Sequence, residues 1–194
     1  MKIELKPGFA AFVMLLLLFC GEYAVLFLTA LCLHEAGHCA ACCILGGRSR
    51  RFCLRFADCE IETVGLGYRS EAICAMAGPA VSCISFILLR SVNPAFAAIH
   101  LLLAVYNLLP VWPLDGARSL FCLLSIGMKP DTAWTIVRIC GLTVCGVLLI
   151  FALAASIIWK LGLWPLAAAL LLYSRLALSA GWQNSCFFED STIK

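Results

Sequence analysis

Apolar residues run along this chain in long stretches separated by short polar breaks. About 20 apolar residues cross a bilayer, so the pattern predicts about six membrane segments. They are roughly Gly8 to Cys20, Tyr23 to Leu45, Glu71 to Leu89, Pro94 to Trp112, Trp134 to Trp159 and Leu161 to Ala180. The first is short, and no polar cleavage region follows it, so it reads as a retained segment, tilted or partly inserted, and not as a signal peptide. After the second segment the period changes. Arg51-Phe52-Cys53-Leu54-Arg55-Phe56-Ala57-Asp58-Cys59-Glu60-Ile61-Glu62 alternates apolar with polar or small residues, which suits a β-hairpin or strand pair with Phe52, Leu54 and Phe56 on one face, or else a surface loop. Ser70-Glu71 is expected to cap the third segment, Pro130-Asp131-Thr132 to start the fifth, and Gly181 to stop the sixth. The expected fold class is an all-α polytopic membrane protein, with a single transmembrane domain over 1–181 and a short tail over 182–194.

Composition agrees: 63% hydrophobic and 13% charged residues, with a mean hydropathy of +1.01, lie outside the soluble range. The net charge of +3 gives no reason to expect a nucleic-acid partner. Its distribution is more informative. Arg48, Arg50, Arg51, Arg55 and Arg69 follow segment two, Arg118 and Lys129 follow segment four, and Lys2 and Lys6 precede segment one, whereas the other side receives only Arg90 and Lys160. The positive-inside rule then puts both termini in the cytoplasm. Thirteen cysteines would suit a disulfide scaffold in a small secreted domain, yet Cys20, Cys32, Cys74, Cys83, Cys140 and Cys145 lie within apolar spans, where thiols pack as small hydrophobes.

Within segment two stands Leu33-His34-Glu35-Ala36-Gly37-His38. Two histidines four apart lie on one helix face and can offer ring nitrogens to one Zn²⁺, while Glu35 is placed to act as general base. Ionisable residues are costly in a membrane and call for a protein interior or a water-filled cavity. Ala36, Gly37, Ala40 and Ala41 on segment two, and Ala75, Gly78 and Ser82 on segment three, form small faces that predict close packing of the two.

Catalytic zinc usually takes three protein ligands, so one more is needed. Segment four ends in Tyr106-Asn107-Leu108-Leu109-Pro110-Val111-Trp112-Pro113-Leu114-Asp115-Gly116-Ala117-Arg118, whose two prolines are expected to open the helix before Asp115. Segments two and four run in the same direction, which can bring Asp115 near His38. His100 is about 22 Å from Asp115 along a helix and reads as a packing histidine. Cys42 would lie in line with both histidines, a poor tetrahedral geometry.

The pairing of H-E-x-x-H with Asn-Leu-Leu-Pro-Val-Trp-Pro-Leu-Asp-Gly resembles the site-2 protease family of intramembrane zinc metalloproteases, nearest to the bacterial sporulation branch that cleaves a membrane-associated sigma-factor precursor. The likeness covers about Phe9 to Arg118, including Ala77-Gly78-Pro79. It implies one zinc ion per chain held by His34, His38 and Asp115, Glu35 as general base, and Asn107 in substrate binding or carbonyl polarisation. It also implies a transmembrane or membrane-associated protein substrate and a multi-pass location in a bacterial cytoplasmic membrane. That branch carries a cytoplasmic CBS domain after its membrane core, whereas this sequence ends at Lys194. Leu54 and Phe56, on the strand-like stretch, are expected to receive an unwound substrate by edge pairing. The rival reading is a membrane zinc carrier or sensor without catalysis, which would have no need of Glu35.

Overall fold

A computed structural model describes residues 2–5, 13–14, 16–18, 21–55, 58–64, 66–160 and 162–179; of the strands and of Leu178 and Ser179 it describes the backbone alone. In chain order the elements are β1 (Lys2–Leu5), α1 (Glu22–Ile44), β2 (Arg48–Arg55), β3 (Asp58–Val64), α2 (Tyr68–Leu89), α3 (Pro94–Asn107), α4 (Asp115–Gly127), α5 (Pro130–Ile158) and α6 (Trp164–Ser179). They divide into two compact units, Met1–Leu108 and Leu109–Lys194. Three helices, α1, α2 and α5, are long and apolar enough to cross a membrane, while α3 and α6 are shorter apolar helices. Large apolar side chains such as Ile87 and Leu88 on α2 and Ile150 and Ile157 on α5 face outward, the reverse of a soluble protein and the pattern that suits lipid. The chain is an integral membrane protein. The expected segment Gly8 to Cys20 lies largely outside the described residues, as does Gly181.

In the first unit, α1 stops cleanly. Gly46, with φ at +76°, adopts a left-handed conformation that few side chains tolerate. Its N–H bonds to Cys43 O and that of Gly47 to Cys42 O, the paired bonds of a Schellman motif. The backbone then forms β2, antiparallel to β3 and parallel to β1, in the order β1-β2-β3. Helix α2 begins earlier than Ser70 suggests: Gly67 is its N-cap, no side chain caps it, and Glu71 sits in the first turn, where a carboxylate suits the helix dipole. Pro79 lies buried inside α2. Helix α3 opens on Asn93, whose Oδ1 accepts from Phe96 N–H, with Pro94 in the first turn.

Helix α3 ends at Asn107, not at Trp112 as the hydropathy implies. Proline has no N–H to continue the ladder and disfavours helical backbone in the residue before it, so Pro110 and Pro113 bar the path together. The second unit opens on this irregular stretch, where the Trp112–Pro113 peptide bond is cis. It then forms α4, a helix that the reading of segment four as a single span did not anticipate. Its Arg118, Ser119 and Ser125 break the apolar run, while Ala117, Phe121 and Cys122 are buried. Val111 and Leu114 from the irregular stretch, Cys145 from α5, and Leu172 and Leu176 from α6 make the core of this unit. Helix α5 starts at Pro130, as the sequence predicts.

Candidate metal centre

Helices α1 and α2 are held together by the two imidazoles of the H-E-x-x-H motif. His34 and His38 are buried, at 1% and 6% exposure. Nδ1 of His38 donates to the main-chain oxygen of Cys74 at 2.8 Å. A carbonyl only accepts, so the ring's proton belongs on Nδ1 and a bare lone pair is left on Nε2. Nδ1 of His34 lies 3.0 Å from Ser82 Oγ, a hydroxyl that can hold the second ring in the same way. The Nε2 atoms then face each other at 3.3 Å, the rings edge to face with centroids 4.9 Å apart.

This arrangement comes from the spacing. Residues four apart share a helix face, so Cys74, Gly78 and Ser82 form a ladder down α2 just as His34 and His38 do down α1. The helices run antiparallel, and the later Ser82 therefore meets the earlier histidine. Close approach depends on Gly37, where a Cβ would come within 2.8 Å of Val81 Cγ2 and 3.0 Å of Ala77 O. Of the small faces expected on these helices, Gly37 on α1 and Ala75, Gly78 and Ser82 on α2 are buried, whereas Ala36 and Ala40 are exposed. Gly78 stands opposite the ring nitrogens themselves: a Cβ there would fall on His38 Nε2 and lie 2.7 Å from His34 Nε2.

These residues fit zinc. Two nitrogens at about 2.0–2.1 Å from one tetrahedral Zn²⁺ stand about 3.3–3.4 Å apart, and the ring nitrogens stand 3.3 Å apart. Hydrogen bonds to the far ring nitrogen are the usual means of fixing a metal-binding histidine's tautomer and orientation.

Glu35 follows His34 on α1 and is half-buried. Asp115, in the second unit, is the first residue of α4 and also half-buried, and its carboxylate suits the helix dipole there. Asn107 ends α3, its Nδ2 donating to Leu103 O at 3.0 Å. Cys42 is buried one turn past His38. His100 is fully buried, tilted against Phe96 at 4.7 Å between centroids, as a packing histidine would be.

The sheet alters one expectation. Leu54 pairs with Leu5 on one side and Cys59 on the other, so β2 is the central strand and has no free edge at that position; the outer edges belong to β1 and β3. Phe56 lies outside the described residues. The group that sequence reasoning missed is the main-chain oxygen of Cys74. Its residue type carries no signal, because the acceptor is backbone; only its position four before Gly78 could have pointed to it.

No protein-family model matches this chain, and no curated protein matches it. Among solved structures it is similar to the site-2 protease from Methanocaldococcus jannaschii, with a TM-score of 0.70 and 22% identity over 91% of this chain and 89% of that one. The two-helix clasp around facing ring nitrogens thus sits in a chain that has the fold of a site-2 protease.

Proposed function

We propose that the protein is an intramembrane zinc metalloprotease that hydrolyses peptide bonds within or next to transmembrane segments of membrane-protein substrates. The observation that carries this reading is the 3.3 Å approach of two Nε2 atoms whose rings are fixed from behind. In this reading His34 and His38 supply two ligands and Asp115, from the Leu114-Asp115-Gly116 motif, the third, a set of two imidazole nitrogens and one carboxylate oxygen that suits catalytic zinc. When bound, Zn²⁺ lowers the pKa of water and polarises a carbonyl oxygen.

The chain's own groups do the rest. Glu35 takes a proton from the attacking water and returns it to the leaving amine, which calls for a carboxylate that water reaches, and Glu35 is half-buried where the histidines are sealed. Asn107 steadies the substrate from the end of α3. A substrate helix must unwind first, since its carbonyls are occupied in its own ladder, and the outer edge of the three-stranded sheet would give it main-chain partners. The basic cluster after α1 sets both termini in the cytoplasm. Catalysis distinguishes this reading from a zinc carrier, and Glu35 has no purpose without it.

The test is cleavage in proteoliposomes, using a panel of single-span membrane peptides with products identified by mass spectrometry. Wild type with zinc should cut, and Glu35→Gln should keep zinc yet lose about 10²- to 10⁴-fold in turnover. Asp115→Ala should lose zinc and activity together. Full activity in purified Glu35→Gln, or unchanged zinc affinity in Asp115→Ala, would assign those roles elsewhere.

A further inference from the structure

We infer that Gly78 is the positioning residue that holds the metal centre open: the hydrogen atom in place of a side chain leaves the volume in which the Nε2 atoms of His34 and His38 converge, and this position sets metal affinity. The inference rests on the reading of these histidines as metal ligands. A Cβ at Gly78 would fall on His38 Nε2, 2.6 Å from His38 Cε1 and 2.7 Å from His34 Nε2, all closer than real Cβ contacts come.

Neither ring can step aside freely. His38 would have to give up its bond from Nδ1 to Cys74 O, and His34 its contact with Ser82 Oγ, and both partners belong to α2, the helix that carries the offending atom. Turning α2 to remove the Cβ would carry those partners away as well. The demand is thus made by the liganding atoms and not by packing in general. Gly37 serves another purpose, since its missing Cβ makes room for Val81 and the Ala77 carbonyl and so sets the distance between the helices.

Helix propensity gives the experiment a contrast of sign. Alanine favours the middle of a helix over glycine, so a Gly→Ala change that meets no obstacle should leave the helix as stable or more so. Gly146 on α5 is such a site, with nothing near its missing Cβ, and Gly146→Ala is the control. The readouts are zinc affinity, the ligand-field spectrum of the cobalt-loaded protein, and the difference in thermal midpoint between zinc-loaded and chelator-treated protein in detergent, which reports binding to the folded state.

Gly78→Ala is expected to lose zinc affinity on the order of tenfold or more, the scale seen when the support of a metal ligand is removed. Its cobalt spectrum should shift, and most of its metal-dependent rise in midpoint should disappear. A double-mutant cycle covers the case in which the single variant folds poorly. On a background of His34→Ala with His38→Ala both struck rings are gone, so adding Gly78→Ala should be neutral or stabilising in chelator. Equal damage with and without the two rings, or wild-type zinc affinity in Gly78→Ala, would overturn the role given to Gly78. If wild type itself showed no metal-dependent midpoint, the metal-site reading would fall instead.

Discussion

The chain has three histidines, all buried in helices of the first unit, and α2 supports only two of them. His34 and His38 are each held at Nδ1, by Ser82 Oγ and by the main-chain oxygen of Cys74, so that their other nitrogens point at one place. His100 is as deeply buried, at 0% exposure, but neither of its nitrogens has a hydrogen-bond partner among the described residues. Burial and residue type are therefore the same, and the difference lies in what stands behind the ring. A histidine becomes a directed ligand when its rear nitrogen is fixed; without that it is a bulky side chain carrying an unsatisfied polar group.

The largest expected effect comes from removing a supported ring. His38→Ala should abolish high-affinity zinc binding and turnover, measured by metal analysis and peptide cleavage, because it takes a ligand outright. Ser82→Ala blurs the comparison by leaving His34 unsupported, as His100 is. Its zinc affinity should fall by about 10- to 100-fold, read by competition with a chromophoric chelator. Wild-type affinity would show that packing alone orients His34. His100→Leu tests the other side: zinc affinity should not change, and the thermal midpoint should be equal or higher, because an apolar side chain of similar size replaces a buried group with no partner. Loss of zinc there would place His100 with the ligands. The smallest effect is expected from Cys74→Ala, which keeps the carbonyl and removes only a weak thiol donor, 3.4 Å from His38 O. A large loss of zinc in that variant would mean that the thiol and not the backbone supports His38.

Parts of this arrangement could be read from the sequence because they are written in side chains at helical spacing. The histidine pair, Glu35 between its members, and the small residues Gly37, Gly78 and Ser82 all showed themselves in that way. The Cys74 carbonyl did not, since every residue has one and only the register of two packed helices selects it. Hydropathy also misjudged the stretch after Tyr106. It counts Leu108, Leu109, Val111 and Trp112 as membrane-spanning, although Pro110 and Pro113 deny them a helical ladder, and it passes over α4, whose polar positions interrupt the apolar run. At Leu54 the alternation indicated a strand but could not show that both of its sides are taken, because the second partner comes from the far end of the unit, at Lys2–Leu5.

The early end of α3 bears on the lipid as well. Its 14 residues rise about 21 Å at 1.5 Å per residue, against a hydrocarbon thickness of about 30 Å. Were a helix of this length to cross by itself, the leaflets would have to draw together around it, or headgroups and water dip towards its ends. Acyl-chain length would then become a variable of the protein, with short-chain bilayers the better match to α3.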